Sequence, residues 1–199
     1  FKDVSAPSPE MLDFAKKLIS AGADVKGDQS QLLEQLDTII LNKPQLTPSC
    51  NEVKRLMYQN GAEIEYEGKK MSVENALRQA IDNNNLQDVK RFAPLVKNLN
   101  DRMSLQDGED PKKWESFLLY AIRTAKNGKR SSEDTLAIVK ALESAGADFN
   151  KSRDYARHTP LMAAIICDDP KQHKVFDYIM NINSDGNVTL PHPEPMKFG

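Results

Sequence analysis

The sequence predicts an all-α protein, a solenoid of stacked antiparallel helix pairs with short or absent β-hairpin fingers, and three observations predict it. An apolar mark, Leu161 with Ala164 and Ile165, returns as Leu118 with Ala121 and Ile122, as Leu77 with Ala80 and Ile81, and as Leu36 with Ile39 and Ile40, at steps of 43, 41 and 41 residues. Self-similarity at a near-constant interval is how a repeat architecture shows itself, because each unit must bury its apolar face on the next. A second apolar segment follows each mark. Three such segments stop at a glycine, alanine and acid in succession, beginning at Gly22, Gly61 and Gly146. The third observation is the set of capping hydroxyls and prolines that opens the segments. A single domain over residues 1–199 follows, divided into a half repeat at 1–27, units at 28–67, 68–108, 109–150 and 151–190, and an extended tail at 191–199.

The elements follow in order. Ser8 and Pro9 open a first helix, Met11, Leu12, Ala15, Leu18 and Ile19 give it an apolar stripe, and Gly22 stops it in the left-handed conformation that glycine tolerates. By the register of the repeat this is an outer helix without an inner partner. In the second unit Leu32, Leu36 and Ile40 are spaced by one turn, and the same columns hold Val73, Leu77 and Ile81, then Trp114, Leu118 and Ile122. Thr47-Pro48 opens the second outer helix, Asn85 with Asp88 the third, Ser132 the fourth and Asp169-Pro170 the fifth. Pro94 falls inside the third and should end it near Ala93. Residues 182–190 read as a compressed finger, and Pro191, Pro193 and Pro195 then forbid a helix.

Thr159-Pro160-Leu161-Met162-Ala163-Ala164, preceded by Gly146-Ala147-Asp148-Phe149-Asn150 and Asp154, resembles the ankyrin repeat. Arg157 stands at that family's finger glycine and Met162 at its histidine. In the second, third and fourth units an apolar residue occupies the glycine position, so the inner helix should extend one turn upstream and leave a short hairpin or none. A period near 41 suits HEAT or armadillo arrays better than the ankyrin norm of about 33, but those have no counterpart to the Gly-Ala-Asp and Thr-Pro-Leu segments. The resemblance implies an ankyrin-like array that binds a protein partner in the concave groove of fingers and inner helices. Its partner-contacting positions map to Met71, Ser72, Glu74, Asp82 and Asn83 in the third unit, Lys112, Lys113, Glu115, Arg123 and Thr124 in the fourth, and Tyr155, Ala156, His158, Ile166 and Cys167 in the fifth. Tyr155 is the natural anchor, since exposed aromatic residues dominate interfaces; packing on Arg157 is its plainer use. Trp114 should be core. Long irregular repeats of this kind are similar to those of effectors that intracellular bacteria inject into host cells, which points to a monomeric adaptor of the host cytoplasm. The alternative is a substrate-recruiting or regulatory domain of a larger enzyme.

Composition excludes other classes. A net charge of -2 provides no field for nucleic acid or anionic lipid, and the apolar run from Leu161 to Cys167 is too short to span a bilayer. Cys50 and Cys167 cannot build a disulfide framework, which suits a reducing compartment. No secretory signal is visible, and a chain beginning at Phe1 reads as a fragment. Cys50 with His158, His173 or His192 would be the materials of a nucleophile and base, with a helix N-terminus lowering the thiol pKa, but the histidines lie units away in an array whose units touch only neighbours. No catalytic group, metal site or cofactor is therefore expected: metal-ligand spacing, a Walker pattern and a dinucleotide fingerprint are all missing. Lys126, Lys129 and Arg130 read as an exposed basic loop, with contact to a phosphate or acidic partner as the sharper possibility.

Overall fold

The computed structural model describes residues 8–23, 29–102, 114–125, 130–154, 156–167 and 173–184. Helices dominate them, and the chain forms two units, Phe1–Asn98 and Leu99–Gly199.

In the first unit α1, Pro9–Ser20, begins where Ser8 accepts a hydrogen bond from the Met11 amide, and it buries Leu12 and Ile19. Helix α2, Gln29–Asn42, buries Leu36. A 3-10 turn at Pro44–Leu46 leads into α3, Thr47–Gln59, whose buried face is Cys50, Val53, Lys54 and Met57. Both α1 and α2 pack on α3. Lys54 is buried at 6 % exposure and its ammonium is paired with Asp37, which compensates an otherwise costly buried charge. Next comes an antiparallel hairpin of β1, Ile64–Tyr66, and β2, Lys69–Met71. Its two-residue turn has Glu67 at φ 52 and Gly68 at φ 74, the doubly left-handed geometry that matches strand twist. Asn83 donates to Glu67 at 2.8 Å and steadies that turn, and Tyr66 meets Phe92 edge-on at 5.2 Å. Helix α4, Val73–Asp82, is capped by Ser72 and packs on α5, Leu86–Phe92, capped by Asn85. Pro94 sits in a 3-10 turn, Ala93–Leu95, which ends α5 where the proline demanded it.

In the second unit α6, Phe117–Ala125, packs on α7, Ser132–Ser144, and on α8, Pro160–Cys167. Helix α9, Lys174–Ser184, packs on α7 and α8. Asn100 organises the loop after α7: its carbonyl oxygen accepts from the Asp148 amide at 2.7 Å and the Ser152 hydroxyl at 3.2 Å.

The glycine stops share one hydrogen-bond pattern. After α1, α3 and α7 the glycine amide bonds three residues back and the next alanine amide five residues back, with Gly22, Gly61 and Gly146 at φ 90, 87 and 105. Helix α4 ends the same way with Asn84 at φ 54.

Several expectations need correction. The hairpin is not among them: of the short hairpin or none expected for the third unit, the chain takes the short hairpin, whose strands lie ahead of the Ser72 cap. Helix α6 starts at Phe117, not at Trp114: residues 114–116 are drawn out by an antiparallel bridge between Glu115 and Asp154. Trp114 is accordingly half-buried and not core. Leu77 and Leu118 are fully buried, whereas Leu161 is half-buried. Ser131, one residue before the expected position, caps α7. Asp169, Pro170 and residues 185–199 lie outside the described residues.

Candidate functional site

Glu115 and Asp154 face each other across the bridge, so their side chains emerge on one face, with exposures of only 8 % and 6 %. Two buried carboxylates side by side repel, and Arg123, two turns along α6, resolves the conflict. Its Nη1 donates to Glu115 Oε2 at 2.7 Å and its Nη2 to Asp154 Oδ2 at 2.6 Å, a use of the guanidinium fork that a lysine could not copy. The Asp154 carboxylate also accepts from the His158 backbone amide at 2.8 Å and lies 2.7 Å from His158 Nδ1. Burial pushes the Asp154 carboxyl up, but the hydrogen bonds from Arg123 and His158 outweigh it and hold the group below its ordinary value.

The network assigns the imidazole proton. Nδ1 lies 2.7 Å from a carboxylate oxygen and 3.3 Å from Arg123 Nη2. An unprotonated Nδ1 would set two acceptors against each other at the shorter distance, so Nδ1 carries hydrogen and donates to Asp154. The His158 side chain is 39 % exposed, so the imidazole edge carrying Nε2 is left for contacts outside this network. The turn that places it runs through Arg157 at φ 64, at the position where the ankyrin pattern has glycine. The Arg157 amide donates to the Asp154 carbonyl at 3.1 Å.

Downstream, Thr159 caps α8 by accepting from the Met162 amide at 3.2 Å. Ala163 and Ala164 face the core. Met162, Ile165 and Ile166 are exposed at 41 %, 65 % and 61 %, an apolar face at the spacing of one helical turn.

The structure thus joins Arg123 to Glu115 directly and to His158 through Asp154. Arg123, expected as a groove cation, is spent on two carboxylates of its own chain. Met71 ends β2 half-buried, Glu74 is half-buried in the first turn of α4, and exposed Asp82 lies 4.0 Å from Arg78; these three belong to the first unit. Lys112, Lys113, Tyr155 and His192 lie outside the described residues. From the basic loop, Arg130 donates to the Ala121 carbonyl at 3.0 Å and to Thr124 Oγ1 at 3.3 Å, closing the end of α6. Residues 126–129 are not described.

Cys50 is fully buried, and burial pushes its thiol up, with Lys54 opposing and Asp37 reinforcing the shift. The dipole effect expected at the start of α3 is overridden. Among the described residues no three of His, Cys, Asp or Glu are arranged to hold a metal ion, and no helix is long and apolar enough to cross a membrane.

What the arrangement offers chemically is a rigid, ion-paired turn that presents the part-exposed imidazole of His158 ahead of a helix with an exposed apolar face. No family model, no curated protein and no solved structure matches this chain.

Proposed function

We propose that the chain is a binding scaffold of ankyrin-like stacked helix pairs, and that its second unit engages a protein partner through His158 and Ile166. Support for the stacking comes from the two-by-two order of α6 to α9, in which each helix packs on its pair partner and on its equivalent in the next pair. Arg157 adds to it, since it adopts a glycine conformation where the family pattern has glycine.

The observation that carries the binding reading is the exposure of Ile166. It lies five residues beyond its mark leucine, the place that Arg123 holds on α6 beyond Leu118. In that column one side chain is neutralised inside the chain and the other is left apolar, 61 % exposed and without an internal task. Burying it is worth on the order of 1–2 kcal/mol, and His158, ahead of the other end of α8, is a polar group that a partner spanning the helix would have to match, which supplies direction.

The test is affinity capture with the intact chain, compared with Ile166→Lys and with Tyr155→Ala. Loss of one and the same partner in both variants, at unchanged thermal midpoint, is expected. Retention of every partner by Ile166→Lys would place binding elsewhere. Arg123→Glu is unsuitable because it dismantles the turn itself.

A further inference from the structure

Helices α1, α3 and α7 end in the same glycine stop, and aligning them on Gly22, Gly61 and Gly146 puts their side chains in common columns. Three of those columns hold Cys50, Val53 and Met57 in α3 and Thr135, Ile138 and Leu142 in α7, all at 2 % exposure or less. In α1 the same columns hold Met11, Phe14 and Leu18, exposed at 56 %, 62 % and 45 %. The stripe has the residue types and the one-turn spacing of a packed helix face, yet it is left largely to solvent. Leu12 and Ile19 join the core with Val53 and Met57 of α3, so the stripe is a second apolar face of α1 and not the first one displaced.

We propose that this stripe is a homodimer interface, on which α1 of a second copy of the chain packs antiparallel about a two-fold axis near Phe14. The choice of occupant rests on charge. Glu10 lies one turn before Phe14 and Lys17 one turn after it, so both border the stripe on the same edge, with an acid at one end and a base at the other. Antiparallel packing brings the same edge of both helices together. Glu10 then meets Lys17 of the partner subunit, and the two-fold axis repeats the pair, so the edge is complementary to itself. That register also seats Met11 in the gap between Phe14 and Leu18 of the partner subunit. Lys17 lies 2.9 Å from Asp13 within its own helix, but the two side chains are 76 % and 55 % exposed, and a pair so exposed contributes little and can share its base with a second acid. Lys16 falls on the far side of the helix and takes no part. Three side chains bury far less than a standard interface, so the dimer is a weak one, in the micromolar to millimolar range. It departs from the monomeric adaptor that the sequence suggests, and it is independent of the reading of His158 and Ile166.

Sedimentation velocity of the full chain, from micromolar to millimolar concentration, should show a reversible equilibrium between monomer and dimer. Phe14→Glu should remove the dimer at unchanged Tm, because Phe14 is mostly exposed within one copy. Glu10→Lys and Lys17→Glu should each weaken the dimer by about threefold or more at low salt. The double exchange should restore it, even though opposing the helix dipole lowers the Tm of all three charge variants. Ile165→Lys, on α8, should leave the equilibrium unchanged. A chain that stays monomeric throughout would overturn the proposal and assign the stripe to a helix of another sequence. A dimer that survives Phe14→Glu but is lost in Ile165→Lys would overturn it in favour of α8. A double exchange no better than either single one would overturn the antiparallel pairing.

Discussion

Arg157 holds a left-handed backbone, at φ 64, inside the turn that aims His158. For a residue with a Cβ that conformation costs about 1–2 kcal/mol relative to glycine. The side chain returns little, because it is exposed and takes no part in the Asp154 network. Replacing Arg157 with glycine removes the strain but adds about 0.4–1 kcal/mol of backbone entropy to the unfolded chain. The net expectation is a gain of about 0.5–1 kcal/mol, or a rise of about 1–4 °C in Tm for a chain of this size. Arg157→Ala separates backbone from side chain, since it keeps the Cβ and should sit within about 0.5 kcal/mol of the parent. Arg157→Val, branched at the strained carbon, should fall below it by about 1 kcal/mol or more. Thermal melts followed by circular dichroism give the order glycine, then arginine with alanine, then valine. A glycine variant that melts lower, or a valine variant that melts with the parent, would show that the turn is not left-handed, and the account of how His158 is aimed would fall with it.

Two further predictions concern stability. Leu118 is fully buried at the junction of α6 with its neighbours, so Leu118→Ala should cost about 2–5 kcal/mol in a denaturant titration, and an unchanged midpoint would refute the repeat register. The Asp154 carboxyl lies below its ordinary value of 3.8 in the folded chain, so the unfolded chain binds that proton more readily and stability rises with pH through this window. The contribution is complete above the unfolded value and is lost as pH falls through the folded one. Asp154→Asn should therefore cost about 1–3 kcal/mol at neutral pH and flatten the acid limb of the stability curve below about pH 4, whereas a parallel limb in the variant would remove Asp154 from the account.

What was legible in the sequence was local. Ser8, Asn85 and the three glycines act on amides within five residues of themselves, so residue type and spacing sufficed to place α1, α3, α5 and α7. Whether the third unit kept a short hairpin or none stayed open, because Val73 stands where the ankyrin pattern has its finger glycine. The alternation of Ile64, Glu65 and Tyr66 before Gly68 was the signal that competed with it. The ion cluster was out of reach, since Asp154 and His158 lie 31 and 35 residues from Arg123 and no periodicity couples them. Only the charges were visible, and free charge was the wrong inference for Arg123. Lys54 was a readable case: Cys50, Val53 and Met57 define a buried face by three- and four-residue spacing, and Lys54 falls on it. A burial pattern that includes a lysine asks for an acid opposite, which is Asp37.

The exposed apolar residues of α8 divide into two kinds when set against α6. Met162 and Ile165 occupy the columns of Leu119 and Ile122, which are buried at 0 % and 1 %, while Ile166 occupies the column of Arg123, whose side chain is 33 % exposed. In a stacked array a column is core or surface according to whether a following pair covers it. Met162 and Ile165 therefore have the character of a stacking seam, with side chains of core type at a junction that no described helix covers. Ile166 differs, because its column is open in α6 even though α8 packs beside it. A lysine at Ile165 tests the seam and should alter stability or self-association. A lysine at Ile166 tests recognition and should leave both unchanged while removing the partner. The two substitutions are adjacent in sequence and opposite in expected readout, so the pair distinguishes a protein that binds through this face from one whose apolar edge only continues its own stack.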